Sequence, residues 1–401
     1  MQGNSQQAKR QPWRVIAAPN GFKGTLSAWE AAAFIAQGVQ HATQEADVIC
    51  LPVADGGQET VEVLVRATGG RWQSCRVHDA LGRPRMAQWG VLSQRRGAVE
   101  VAAACGLALL SEGERDPHRA SSFGAGELIA QAANAGLSEL FIGLGGSATN
   151  DGGAGLLEAL GARFFDASGR QRSPFTEGVD VLGEVVRVDL HPVKRRLGSL
   201  RLTLCDVKTL LCGVQGASAL FGPQKGVGPQ EVAVFDRWLA QWGTVLAQAS
   251  KREVAQLPGS GAAGGCGAAL AAVGATLADG AATVLRVMDF DQKLQGAALV
   301  ITGEGSSDLQ TLQGKAPWAV AQAAQRAGVP CVLLAGALRL SAQQWTHAGF
   351  SGAWSLVAEP QSLSEALARS GERLRETAYA VALFYAAIRK QRVVEEARED
   401  G

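Results

Sequence analysis

The chain has no C-x-x-C pair, no G-x-x-x-x-G-K-[ST] run, no surplus of either charge and few aromatic side chains. Each of these absences removes a class of function. The seven cysteines, at 50, 75, 105, 205, 212, 266 and 331, are odd in number and scattered. Five of them sit in apolar runs, where a thiol behaves as a small core residue. A disulfide scaffold is thereby excluded, and a reducing, cytoplasmic setting is expected. With 38 Lys+Arg against 37 Asp+Glu the net charge is +1. Only short clusters such as Lys194-Arg195-Arg196 and the tail from Glu395 to Asp400 break that balance, so a nucleic-acid partner is not expected. The opening MQGNSQQAKRQPW lacks the apolar stretch of a signal peptide. The long uncharged segment from Val254 to Ala278 is mostly Gly and Ala with Pro258, too poor in Leu, Ile and Phe to span a membrane. The histidines at 41, 78, 118, 191 and 347 form no pair with metal spacing, which disfavours a histidine base or a zinc site.

What the sequence does hold is glycine. There are 50 glycines in 401 residues, with 47% hydrophobic content, the profile of an Ala/Gly-rich α/β enzyme whose loops approach ligands closely. The length exceeds what one core fills, so two domains are expected. Residues 1–12 are expected to form a disordered tail.

The first unit, RVIAAPNGFKGTLSAWEAAAFIAQGV, reads as strand, loop and helix. Ser27 and Glu30 form a capping box at the helix start. A second strand, Val48 to Val53, runs into Asp55-Gly56-Gly57 and a helix from about Glu59 to Ala67. Residues 70–100 then alternate apolar and polar side chains between turns, which predicts an antiparallel meander. From about residue 297 the strand-helix alternation resumes through AALVITGEG, VPCVLLAGAL and GAWSLV. Five strands split by an intervening block predict one open parallel sheet interrupted by an inserted domain. Ligands of such sheets collect at the carboxyl ends of the strands, where Lys23, Asp55 and Glu304 fall.

The segment ELFIGLGGSATNDGGAGLLEALGARFFD places Gly143, Gly145 and Ala148 in a dinucleotide-like G-x-G-x-x-A spacing. A true dinucleotide turn opens its helix inside the glycine triplet. Here Ser147 to Gly153 delay the helix to about Ala154, so an NAD-linked oxidoreductase is disfavoured. The chain carries seven glycine-lined polar loops in all: PNGFKGT, ADGGQET, GLGGSATNDGG, CDVKTL, FGPQKGVG, GSGAAGGCGAAL and TGEGSSDLQTLQGKAP. Taken singly, each reads as a turn with a helix cap, and lone lysines as solvated. Seven together point to a site for a polyanion, because phosphate handling needs backbone N–H groups, lysines and carboxylates for magnesium.

In this order, and over about residues 14–380, the loops resemble the bacterial glycerate kinase family. GLGGSATNDGGAG, FGPQKG, GAAGG and GEG…D.QT..GKAP carry the likeness. The resemblance implies ATP-dependent phosphorylation of D-glycerate with Mg2+, favouring 2-phosphoglycerate over 3-phosphoglycerate. It also implies a flavodoxin-like α/β domain interrupted by a second α/β domain, with the active site in the cleft between them. The expected boundaries are 13–68 plus 295–401 for the first domain and 69–294 for the insertion. Against the family pattern, Asn20 stands for an aspartate, Gln58 for a glutamate and Ser306 for an arginine, and Asp206-Val207-Lys208-Thr209 replaces Asp-Val-x-Asn. A kinase of another small hydroxy acid, or a non-catalytic binding homologue, is the alternative reading.

Roles follow from chemical type. Lys23 and Lys225 are the cations for phosphate or carboxylate. The Gly145 and Gly146 amides, Ser147 and Asn150 suit phosphate oxygens ahead of a helix. Asp55, Asp151, Asp206, Glu304 and Asp308 are the carboxylates: Asp206 or Asp55 is expected as base, Glu304 and Asp308 as magnesium ligands, and Asp151 in the binding loop. Gln224 and Lys315 complete the candidate set.

Overall fold

The structure, a computed structural model, describes residues 12–205 and 209–399. Its strands in chain order are β1 (Trp13–Ala17), β2 (Ala46–Cys50), β3 (Arg71–His78), β4 (Pro84–Val91), β5 (Arg96–Glu100), β6 (Glu139–Gly143), β7 (Arg163–Asp166), β8 (Gln171–Arg172), β9 (Val185–Asp189), β10 (Arg201–Cys205), β11 (Thr276–Ala278), β12 (Ala297–Ser307), β13 (Cys331–Leu338) and β14 (Gly352–Ser355). The chain divides into two compact units, Met1–Ala54 with Asp289–Gly401, and Asp55–Met288.

The discontinuous unit is built on a sheet of order β14-β13-β12-β1-β2, parallel at every pairing. Counted within the unit and read from β2, the order is 2-1-3-4-5, the flavodoxin-like arrangement, with its switch point between β1 and β12. Val15, Ile16 and Ala17 are all buried although they alternate faces, as expected of a strand covered by helices on both sides. The helix Ala28–Ala42 begins at the capping box of Ser27 and Glu30 and packs on the helix Ser370–Glu399. Gly38 permits that approach, since a Cβ there would lie 2.3 Å from the Arg375 carbonyl oxygen.

The second unit holds a six-stranded sheet of order β11-β10-β6-β5-β4-β3 and a small sheet β8-β7-β9. β5, β6, β10 and β11 run parallel, while β3, β4 and β5 form the antiparallel meander. A core containing Leu128, Leu140, Phe164, Phe235 and Trp242 lies against the sheet.

Two details differ from the pattern read in the sequence. The helix Thr60–Ala67 falls in the Asp55–Met288 unit and packs on β3, β4 and β5, where its buried Val61, Val63, Leu64 and Val65 find their partners. A strand-loop-helix pattern does not say which sheet a helix covers. The segment following Val300 also stays extended as far as Ser307, because β13 pairs with it through Glu304↔Ala335 and Ser307↔Leu338. Its glycines lie in a strand, where their lack of a side chain admits neighbouring backbone. Among the described residues no helix is long and apolar enough to cross a membrane.

Candidate functional site

In the discontinuous unit the candidate residues meet at the carboxyl ends of β1 and β12. The loop after β1 is laid against β12 by the Asn20 N–H, which donates to the Gly303 carbonyl at 2.8 Å. The Asn20 side chain accepts from the Gly21 N–H at 2.8 Å. Phe22 is buried and forms a β-bridge with Leu26, leaving Lys23 exposed at the tip. The Gly305 backbone runs beside Lys23, since a Cβ at 305 would lie in ordinary contact, 3.5 Å, with the Lys23 backbone nitrogen.

Glu304 is buried there, and its Oε1 accepts from the hydroxyls of Ser307 at 2.9 Å and Thr311 at 2.6 Å. Thr311 Oγ1 also accepts from the Asp308 N–H at 3.0 Å, and Asp308 Oδ1 accepts from the Gln310 N–H at 2.8 Å. These bonds fix the carboxylate of Glu304 and the backbone of Asp308 relative to each other. Lys315 is half-buried and immediately precedes the helix Ala316–Arg326, with no capping hydrogen bond from its side chain.

In the second unit the glycine loops pack backbone on backbone. A Cβ at Gly145 would lie 2.7 Å from the Gly57 Cα, and one at Gly143 would lie 3.0 Å from the Gly56 carbonyl oxygen. The half-buried Asp55 therefore sits at the start of a loop seated on the end of β6. Gly146 is exposed, with the Gln58 amide beside it. The helix Ala154–Leu160 starts where the polar run ends, and Ala148 is occupied by an N–H bond to the Cys105 carbonyl rather than by helix-strand packing. The nicotinamide reading therefore gains nothing from this geometry. On the other side of the loop the residues Ala263, Gly264 and Gly265 take left-handed conformations. The Gly264 carbonyl accepts from the Gly152 N–H at 2.9 Å, so GAAGG supports the loop by close contact.

Lys225 is the centre of this group. It is 4% exposed, and its ammonium donates to Ser147 Oγ at 3.1 Å and to the Thr149 carbonyl at 2.7 Å. A buried ammonium needs such partners. Asn150 is fully buried. Its amide nitrogen donates to Ser218 Oγ at 2.9 Å, while its Oδ1 has no hydrogen-bond partner among the described residues. Gln224 is exposed on the same short turn as Lys225.

Asp151 points inward. Its Oδ2 accepts from the Ser122 N–H and hydroxyl, each at 2.8 Å, and from the Gly155 N–H at 3.2 Å. Its Oδ1 accepts from the Gly153 N–H at 3.1 Å. Burial raises its pKa, and those hydrogen bonds oppose the rise. The carboxylate thus joins the starts of the helices Phe123–Ala133 and Ala154–Leu160. Asp206 and Lys208 lie outside the described residues.

Several participants escaped sequence reasoning. Ser218, Thr149, Ser307 and Thr311 contact the candidate residues but carry no spacing signal. Glu100 ends β5 and accepts from the Val61 N–H at 2.9 Å, which caps the helix Thr60–Ala67. Burial pushes its pKa up to about 7. Only its position at the end of an apolar strand beside a glycine loop could have drawn attention to it.

Comparison with known proteins follows the same lines. The sequence model of the glycerate kinase family matches residues 15–386. The glycerate kinase of Bacillus subtilis (strain 168) is 40% identical over 372 residues, 92% of this chain and 97% of that protein. The glycerate 2-kinase of Escherichia coli (strain K12) is 37% identical over 356 residues, 88% of this chain and 93% of that protein. A crystal structure of a candidate glycerate kinase 2 from Salmonella typhimurium LT2 superimposes with a TM-score of 0.82 at 39% identity, covering 94% of this chain and 99% of that one.

Proposed function

Because this chain belongs to the glycerate kinase family, we propose that it transfers the γ-phosphoryl group of ATP to D-glycerate, at the 2-hydroxyl in preference to the 3-hydroxyl. The observation that carries this reading is the buried Lys225 ammonium, locked onto the glycine loop after β6 by Ser147 and Thr149. Phosphoryl transfer asks a protein mainly to position groups and to neutralise charge. A cation already desolvated and oriented does this without reorganising during the reaction.

The other roles follow from the groups at hand. Lys225, Ser147, Asn150 and the Gly145 and Gly146 amides receive phosphate or carboxylate oxygens, with Gln224 at the rim. The Oδ1 of Asn150, without a partner among the described residues, can accept a hydrogen bond from a substrate hydroxyl. Asp206 or Asp55 takes the proton of the attacking hydroxyl. Lys23 and Lys315 add positive charge toward the nucleotide phosphates. Magnesium in such sites takes only one or two carboxylates and completes its shell with water and phosphate oxygens. Glu304, fixed by two hydroxyl donors, and Asp308 fit that modest demand and would hold it. When bound, the ion neutralises phosphate charge.

A coupled assay of ADP release with glycerate, lactate, tartronate and erythronate tests the acceptor, and phosphorus NMR of the product identifies the hydroxyl. Turnover confined to glycerate with a 2-phosphoglycerate product is expected. Preference for another acid would replace the acceptor, and nucleotide binding without turnover with any of the four would overturn the kinase reading.

A further inference from the structure

The segment Arg115–Arg119 lies behind the loop that carries Lys225. A Cβ at Gly226, whose φ is +99°, would lie 2.9 Å from the Arg115 carbonyl oxygen and 3.3 Å from Pro117 Cδ. Glycine at 226 thus lets the two backbones close on each other. One residue on from that proline contact, the His118 ring is held at both nitrogens. Nδ1 is 2.7 Å from Asp180 Oδ1, and Nε2 is 2.9 Å from Glu231 Oε1. A carboxylate can only accept, so both ring nitrogens must carry protons for both bonds to exist. Neutral imidazole has one N–H and must give up one of them.

Glu231 passes the restraint on. Its Oε2 accepts from the Gly228 N–H at 3.0 Å. Gly228 ends the turn in which the Lys225 and Val227 N–H groups both donate to the Gly222 carbonyl. We propose that His118 is a positioning residue for Lys225, its imidazolium bridging Asp180 and Glu231 so that Glu231 holds the end of the Lys225 loop. This rests on the reading of Lys225 as a substrate-binding cation.

The surroundings allow the ring to titrate. It is packed edge-on against Phe235 and Trp238, with centroids 5.0 and 6.0 Å away. Beside it is a cavity of about 290 Å³ lined also by Arg119, Phe175, Glu177 and Asp180, through which solvent protons reach it. The charged groups facing it are Asp116 and Arg119 on its own segment, Glu177 and Asp180 from the next, and Glu231 at the start of the helix Val232–Ser250. The Asp180 hydrogen bond, and then that of Glu231, raise its pKa against the opposing effect of burial. A raised histidine pKa means that the bridge persists to higher pH than an ordinary imidazolium would. It is lost as pH rises through the folded-state value.

The test is the pH profile of kcat/KM for the full-length chain with glycerate and Mg–ATP, from about pH 6 to about pH 9. Four proteins are compared: wild type, His118→Gln, His118→Arg and Lys225→Met. Wild type is expected to decline on the alkaline side, with KM rising more than kcat falls. His118→Gln should lie about tenfold below the wild-type maximum at every pH, a loss typical of removing a side chain that orients a binding group. His118→Arg, always charged and able to bond two carboxylates, should lose the alkaline decline. A His118→Gln profile that follows wild type, or an alkaline decline of wild-type size in His118→Arg, overturns the inference. The second of these decides the matter even if His118→Gln fails to fold. If Lys225→Met is inactive when either happens, the Lys225 reading survives alone. If Lys225→Met keeps wild-type kcat/KM, both fall.

Discussion

Lys225 and Thr149 are joined by a 2.7 Å hydrogen bond from an ammonium to a backbone carbonyl, so the cation of FGPQKG is built into the loop GLGGSATNDGG. Motifs 76 residues apart act as one element. Lys225→Met keeps most of the buried volume and removes the charge. We expect kcat/KM for glycerate phosphorylation to fall by about 100-fold or more, the size of loss seen when one preorganised charge-stabilising donor is deleted. Steady-state kinetics beside a thermal melt separates this from unfolding. An active, equally stable variant would show that the ammonium serves packing alone.

Glu304 offers a different experiment, because its carboxylate is oriented by the Ser307 and Thr311 hydroxyls. Glu304→Gln keeps an oxygen for those donors but loses the charge that attracts magnesium. The expected outcome is an intact fold with the magnesium concentration for half-maximal rate raised about tenfold or more, in the range found for perturbed metal ligation. Titrating magnesium at fixed ATP reads this directly. An unchanged half-saturation removes Glu304 from the metal's shell.

The fold was largely legible in the sequence, and the site only in part. The meander of β3 to β5 and the start of the helix at Ala154 follow from side-chain period and from capping and glycine signals, which are local. The covering of β3 to β5 by the helix Thr60–Ala67 is a tertiary fact, and no local pattern encodes it. Lys23, Lys225 and Glu304 were visible because charge stands out among glycines. The inward turn of Asp151 was not visible, because a carboxylate that caps two helices and one that binds a substrate look alike in a polar loop. Ser218 and Thr311 were hidden for the opposite reason, since single hydroxyls are common and become meaningful only beside Asn150 and Glu304.

For Asp151 the prediction concerns stability. All four of its hydrogen bonds among the described residues are received from protein donors. Asn at this position would offer N–H groups where only acceptors fit. Asp151→Asn should therefore destabilise the second unit by about 2–4 kcal/mol, the cost of leaving buried donors unsatisfied. Urea unfolding followed by tryptophan fluorescence measures it, since the Trp242 Nε1–H donates to the Gly152 carbonyl at 2.9 Å, next to the affected turn. A change below about 0.5 kcal/mol, typical of surface positions, would mean that the carboxylate is not a brace.

Glu100 tests whether burial or charge governs the base of the Asp55 loop. Its pKa is raised to about 7, chiefly by burial, with the Val61 N–H bond opposing and the nearby Glu59 and Glu62 adding to the rise. A carboxyl whose folded-state pKa exceeds its unfolded value binds its proton more tightly when folded. Its contribution to stability is therefore complete below about pH 4.5 and is lost as pH rises through about 7. Gln at 100 retains an oxygen for the Val61 N–H and cannot ionise. Glu100→Gln should thus be more stable than wild type above about pH 8 by about 1–3 kcal/mol, with the difference vanishing near about pH 4.5. Denaturant melts at matched pH values check both the sign and the window. A gap that persists unchanged at acid pH would point to packing, and an alkaline loss of stability in the variant would mean that the ionised carboxylate is needed to hold the helix Thr60–Ala67 in place.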